Sequence, residues 1–222
     1  MVHGWSPLAI SLWVSLWAGT AALVLGTTLA RVLVRSGSRF KWILEGLILL
    51  PLVIPPTVLG YYLLVALGRQ GLGPALEGIL GLRFVFAWPG AVVAAAIAAL
   101  PLVAVTARAG LAEVSREIED AARVDGCTER QMFWRISLPV AWRSIAAGGL
   151  LGFLRALGEF GATLMVAGNI PGRTQTLSMA IYDAVQANDL RRANALVLLM
   201  SIAAFGLLFI VLRLNRHIAQ ER

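Results

Sequence analysis

Arg155 and Glu159 form a pair of ionisable side chains inside the long apolar runs of this 222-residue chain. Their i, i+4 spacing lets a guanidinium and a carboxylate meet on one face of a helix, where each lowers the cost of burying the other. Two roles fit such a pair equally: a lock on a helix near the outer interface of a membrane, or a contact with a charged solute. Other reactive constellations are missing from the sequence. A phosphate-cradling Gly-x-x-x-x-Gly-Lys-Ser/Thr loop needs its lysine, and the sole lysine, Lys41, is followed by Trp42. His3 and His217 stand alone near the termini, no His-Glu-x-x-His run occurs, and no serine sits in Gly-x-Ser-x-Gly. No catalytic site, metal site or nucleotide site is therefore expected, and an intramembrane enzyme would have to be built on Arg155 and Glu159 alone. The single cysteine, Cys127, excludes an intramolecular disulfide and reads as a small residue beside Gly126.

The other informative stretch is a charged island between apolar runs, residues 120–139. Its skeleton is Asp120, Ala121-Ala122, three residues, Gly126, nine residues, Ile136, one residue, and Leu138-Pro139. Val114, Ile118, Ala121, Ala122 and Val124 can share one side of a first helix, with Glu113, Arg116, Glu117, Glu119 and Arg123 mostly elsewhere. Gly126 ends that helix, and Thr128 is a candidate N-cap with Gln131 at the capping-box position. A second short helix is expected to run to Ile136 and stop near Leu138-Pro139, where the proline starts the next element. This leaves Met132, Phe133 and Trp134 as large apolar groups on a water-facing hairpin, in want of a partner surface. Amphipathicity alone serves a lipid interface as well as it serves a protein partner. Arg123 and Arg130 are available to pair with acids on such a partner.

These groups must be positioned by a membrane bundle. Hydrophobic residues make up 59% of the chain and charged residues 14%, with a mean hydropathy of +0.79, well outside the range of soluble domains. The net charge of +7 comes almost wholly from arginines scattered in short connectors, which speaks for topology and against nucleic acid. Runs long enough to cross about 30 Å of hydrocarbon predict five spans: 8–34, 43–67, 84–107, 139–167 and 193–214, joined by a loop over 108–138. No basic segment or small-residue cleavage site marks the first as a removable signal, so it is expected to be retained. Basic residues resist translocation. Four lie in Arg31 to Lys41, six in Thr106 to Arg143 and three from Arg213 on, against five on the opposite side (Arg69, Arg83, Arg173, Arg191 and Arg192). The island and C-terminus are thereby expected in the cytoplasm and the N-terminus outside.

Within the spans, Pro51, Pro55 and Pro56 break the helical hydrogen-bond ladder, which lipid tolerates only where protein or a cavity satisfies the freed carbonyls. The second span is expected to kink against protein. Gly148 and Gly152, and the run Ala94 to Ala96 with Ala98 and Ala99, are small surfaces suited to close helix packing. Gly158 and Gly161 flank Glu159 and mark a flexible break, a place for a gate. The loop from Asn169 to Leu190 offers donors at Asn169, Arg173, Thr174, Gln175 and Thr176 and acceptors at Asp183 and Asp189, or is an ordinary solvated loop.

The island's spacing resembles the EAA loop of ABC-transporter import permeases, the segment that docks onto the ATP-hydrolysing subunit, with Asp120 where that family usually has glutamate. The string Phe153 to Tyr182 (FLRALGEFGATLMVAGNIPGRTQTLSMAIY) is similar to the signature segment of molybdate permeases of the ModB family, and Pro51 to Leu64 (PLVIPPTVLGYYLL) resembles their second span. The resemblance implies an all-α integral membrane protein with a MetI-like ABC permease core of five transmembrane helices and a cytoplasmic coupling hairpin. It implies a multi-pass subunit of the bacterial inner membrane that moves molybdate at a homodimer interface by alternating access. Tungstate or sulfate transport, or an ATP-independent channel, stand as alternatives. The implied partners are a second copy, two ATPase subunits carrying ATP and Mg, a periplasmic oxyanion-binding protein and the lipid bilayer, with no nucleic acid. Asp120, Ala121, Ala122, Arg123, Gly126, Phe133, Ile136, Leu138 and Pro139 would couple to the ATPase. Pro55, Pro56, Arg155, Gly158, Glu159 and Gly161 would belong to the path or gate, and Asn169, Arg173, Thr174 and Gln175 would meet the binding protein.

Overall fold

Three long helices form the centre of the molecule: α1 (Pro7–Arg35), α5 (Trp88–Ala112) and α8 (Leu138–Leu157). The structure, a computed structural model, describes residues 4–36 and 39–219, with side chains to Phe209. His3, the side chain of His217 and the basic side chains from Arg213 on lie outside the described residues. Every regular element among the described residues is helical. α1 starts where Ser6 Oγ accepts the Ala9 N–H and Pro7 fills the first turn, where no amide is needed.

Lipid offers no hydrophobic drive between helices, so the centre is held by close fit. Ala18, Ala22, Ala91, Ala95, Ala99 and Ala156 are all buried there. A Cβ on Gly26 would lie 2.8 Å from Val103 Cγ1, and one on Gly152 would lie 2.6 Å from Val103 Cγ2. The small residues read from the sequence in the third and fourth spans are thus the packing surface of this bundle.

Among the described residues, four helical stretches are long and apolar enough to cross a bilayer, and a bent pair counted as one span makes a fifth. The pair is α2 (Lys41–Val53) and α3 (Pro56–Leu67), which meet at 114°. Pro55 and Pro56 have no amide hydrogen to continue the ladder, and α3 turns to pack Leu59 on Ala94, Ala162 and Val166. The second span therefore does more than kink. A short helix, α4 (Gly73–Leu80), follows it in the expected connector, closed by Gly81 at φ 65°.

The island forms α6 (Arg116–Val124) and α7 (Glu129–Met132), and the second of these does not stop at Leu138-Pro139 as expected. It passes through a π-helical turn, Phe133–Ser137, straight into α8, giving one helical stretch from Glu129 to Leu157. Pro139 cannot donate, and the wide turn, in which the Leu138 N–H reaches the Phe133 carbonyl, admits the ring without breaking the helix. The fourth span is instead interrupted after Leu157, between α8 and α9 (Gly161–Ala167). After it come α10 (Leu177–Gln186) and α11 (Leu190–Ala219), the latter touching the bundle sparingly.

Candidate functional site

At one end of the bundle the α6–α7 hairpin is closed by the local chemistry that the spacing foretold. Gly126 takes φ +81°, a left-handed turn that places the Cys127 N–H 2.9 Å from the Ala122 carbonyl. Thr128 Oγ1 accepts the Gln131 N–H at 3.3 Å, and Gln131 Oε1 accepts the Thr128 N–H at 2.9 Å, a complete capping box.

The hairpin is bound to α1 by side chains that sequence spacing did not single out. Arg31 donates from Nη2 to the Glu129 carbonyl at 2.8 Å and lies over the Phe133 ring, 4.2 Å from its centroid. Arg35 bridges the carboxylates of Glu119 and Glu129. Arg123 pairs with Asp120 and meets Glu129 Oε1 at 3.0 Å. Ser137, itself buried, donates to Glu119 Oε1 at 3.2 Å. The signal available in the sequence was only that α1 ends in two arginines one turn apart. Arg108 and Glu45 tie α5 to α2 at the same end.

This clamp sorts the candidate coupling residues into two groups. Met132 is fully buried, Phe133 and Leu138 pack on Ala30, Ala107, Leu111, Ala141 and Ile145, and Ala122 faces inward. Met132 and Phe133 are thus not free apolar groups on the hairpin, as the sequence suggested, but the studs that hold it to the bundle. Ile136 is half-buried as well. Asp120, Ala121, Arg123, Gly126 and Pro139 are exposed, together with Ile118, Val124 and Trp134. The expected shared face of the first helix also divides, because Val114 precedes α6 and is buried whereas Val124 is 87% exposed. What remains outward is an apolar strip, Ile118, Ala121 and Val124, at i, i+3, i+6 on a helix otherwise rich in charge.

The second candidate region is the interruption of the fourth span. α8 ends at Leu157, so Arg155 and Glu159 do not share a helical face; the pair spans the break instead. Arg155 Nη1 donates to Glu159 Oε2 at 2.7 Å, and Glu159 Oε1 accepts the Ala162 N–H at 2.9 Å, capping α9. Thr163 Oγ1 donates to the Phe160 carbonyl at 2.9 Å. Gly161 packs on the break in the second span, where a Cβ would come within 2.9 Å of Pro56 Cβ. Pro55, Pro56, Gly158, Glu159 and Gly161 are therefore gathered at two adjoining breaks. Depth follows from the neighbours one turn below Arg155: Gly152 meets Val103, and Phe153 meets Gly19 with 3.3 Å to a Cβ there. Those partners lie in the middle thirds of α5 and α1, so Arg155, two to three residues farther along α8 at about 1.5 Å each, lies beside the central parts of those helices.

At the end opposite the hairpin, the loop from Asn169 turns most of its polar groups inward. Thr174 and Gln175, expected as outward donors, are buried: Thr174 Oγ1 donates to the Gly168 carbonyl at 2.8 Å, and Gln175 Nε2 to Asp183 Oδ2 at 2.7 Å. Asn169 Nδ2 donates to the other Asp183 oxygen at 2.6 Å, and Thr176 caps α10. Ser11 Oγ accepts the Leu177 N–H at 2.7 Å, stitching the loop to α1. Of the four residues, Arg173 alone is fully on the surface, lining a cleft of about 610 Å³ with Arg69, Arg83 and Glu77. No group of His, Cys, Asp and Glu able to hold a metal occurs among the described residues.

Known proteins resemble this chain over most of its length. Residues 22–222 match the family described as binding-protein-dependent transport system inner membrane component. The chain is 40% identical over 213 residues to a putative molybdenum transport system permease protein of Bacillus subtilis, covering 96% of this chain and 94% of that one. It is 38% identical over 219 residues to the molybdenum transport system permease protein ModB of Escherichia coli K12, covering 98% and 96%. Among solved structures, the fold is similar to that of the inward-facing MetNI methionine ABC transporter, with a TM-score of 0.69 at 18% identity over 94% of this chain and 92% of that one.

Proposed function

The chain belongs to the family of binding-protein-dependent transport system inner membrane components, and on that premise we propose that it is the subunit through which molybdate crosses the membrane in an ATP-driven importer. The whole chain acts as one transmembrane domain. Two copies enclose the path, since the α1, α5 and α8 centre of one copy is packed with its own buried side chains. Each copy receives one ATPase subunit, which carries ATP and Mg; this chain contributes no nucleotide site, since its only lysine is Lys41 in a Lys-Trp pair. The basic connectors favour the hairpin and C-terminus in the cytoplasm and the N-terminus outside. A periplasmic binding protein delivers the oxyanion at the opposite end, where Arg69, Arg83 and Arg173 face outward.

The observation that carries this reading is the hairpin: an outward strip of Ile118, Ala121 and Val124 on an element clamped to α1 and continuous with α8. A partner pushing on the strip moves α6 and α8 together, so nucleotide state in the partner can bias the bundle by its differential affinity for two conformations. Permeases whose names specify molybdenum transport cover nearly the full chain, which supports molybdate over sulfate. The test is reconstitution with the ATPase and binding protein, with uptake measured for molybdate, tungstate and sulfate in turn. Gly126→Pro, which cannot adopt φ +81°, should leave a dimer that assembles but no longer couples ATP hydrolysis to uptake. Normal coupling in that variant defeats the proposal, and preferential uptake of sulfate defeats the molybdate assignment.

A further inference from the structure

The guanidinium of Arg155 is only partly answered within the chain. Nη1 is held by Glu159, while no described residue accepts a hydrogen bond from Nη2 or Nε. The two side chains differ sharply in access: that of Glu159 is 1% exposed and that of Arg155 is 30% exposed. Both Glu159 oxygens are committed, one to Arg155 and one to the Ala162 N–H. The carboxylate therefore points into the bundle, and the free edge of the guanidinium points out of it. Gly158 beside it and Leu151 one turn below are exposed as well, so this face of α8 is open.

A bare guanidinium edge facing acyl chains at that depth is strongly unfavourable, so the open face meets water or protein. The backbone agrees independently. The breaks at Ile54-Pro55 and at Gly158 to Phe160 adjoin one another inside the span, and non-helical backbone at membrane depth persists only against protein or a water-filled cavity.

We infer that the free edge of Arg155 is the mid-membrane contact for the tetrahedral dianion, and that Glu159 is a positioning residue that holds the guanidinium through Nη1 while leaving Nε and Nη2 to the solute. This rests on the transport reading above. Two adjacent donors on a planar guanidinium match two oxygens of an oxyanion. The paired carboxylate offsets part of the positive charge, so the dianion is attracted without being trapped, as conduction through a site requires.

The test uses the full complex of permease, ATPase and binding protein in proteoliposomes, with molybdate as the probe. Arg155→Gln should lower uptake by about tenfold or more, the worth of one charge-assisted interaction, and raise the ATP hydrolysed per molybdate moved. Glu159→Gln keeps an acceptor for the Ala162 N–H and frees the full charge of Arg155, so half-saturation should fall together with the maximal rate. The double variant Arg155→Gln with Glu159→Gln decides between roles: restored uptake means that the arginine only neutralises Glu159 and overturns the inference, and continued failure supports it. Should Arg155→Gln not assemble, Arg155→Cys in a Cys127→Ser background is treated with charged thiol reagents. Restoration by a cationic reagent and not by an anionic one supports the inference; no reaction with either places the residue in lipid and overturns it. Failure of the unaltered complex to move molybdate, tungstate or sulfate would instead defeat the transport reading itself.

Discussion

Arginine–carboxylate pairs occur in both candidate regions, and they are built in opposite ways. At the hairpin, Arg35 and Arg123 share the carboxylates of Glu119, Asp120 and Glu129 near the bundle's end, and Arg31 adds a bond to the Glu129 backbone carbonyl. At the mid-span break, Arg155 has one partner and Glu159 is almost wholly buried. Where several arginines share several carboxylates, the loss of one contact leaves others in place and costs little, although Arg35 and Glu119 are only 21% and 15% exposed. A lone buried carboxylate is different, because removing its arginine leaves a charge in the interior without a counter-charge. One region is held by several shared contacts; the other rests on a single pair.

The contrast can be broken or sharpened by substitution. Glu159→Ala should have the largest effect, a loss on the order of 3 kcal/mol, because it removes the charge-assisted bond to Arg155 and the acceptor of the Ala162 N–H at once; thermal unfolding in detergent checks it, and a shift no larger than that of a hairpin variant would erase the distinction. Gly60→Val should follow at about 1–3 kcal/mol, since a Cβ there meets Met165 Cβ at 2.7 Å and pushes α3 from α9; the same measurement reads it. Thr128→Ala removes half of the capping box and should cost about 1 kcal/mol, visible as faster amide exchange across α7 with the spans unchanged. Arg35→Gln should cost no more, about 1 kcal/mol and somewhat less at high salt, because Arg123 still holds Glu129 and lies 3.9 Å from Glu119. A steep, salt-independent loss in Arg35→Gln would show the clamp to be no more redundant than the break.

Much of this was legible from residue order where the cause is local. Proline without an amide hydrogen marks the break at Ile54-Pro55, glycine accepts the left-handed turn at 126, and the Thr128 and Gln131 spacing closes a capping box within one turn. Apolar length found the five spans. What escaped depends on who lies opposite. Met132 and Phe133 look like free contact groups until α1 and α5 are placed beneath them. Thr174 and Gln175 look like donors for a partner until α10 brings Asp183 beside Gln175 and the loop folds back on Gly168. Pro139 looks like a stop until a π-helical turn accommodates it.

Residue order by itself determined that the chain crosses a membrane, where its helices bend and which short segment closes on a glycine, because hydrocarbon thickness, ring closure at proline and backbone chirality act over a few residues. Only the tertiary structure decided that Arg35 reaches Glu119 and Glu129 across 84 and 94 positions, that two broken spans adjoin, and that the Arg155–Glu159 pair lies deep in the span with its arginine edge open. Those outcomes depend on close approach between helices far apart in the chain, and approach is set by the fit of glycine and alanine surfaces that spacing alone does not pair.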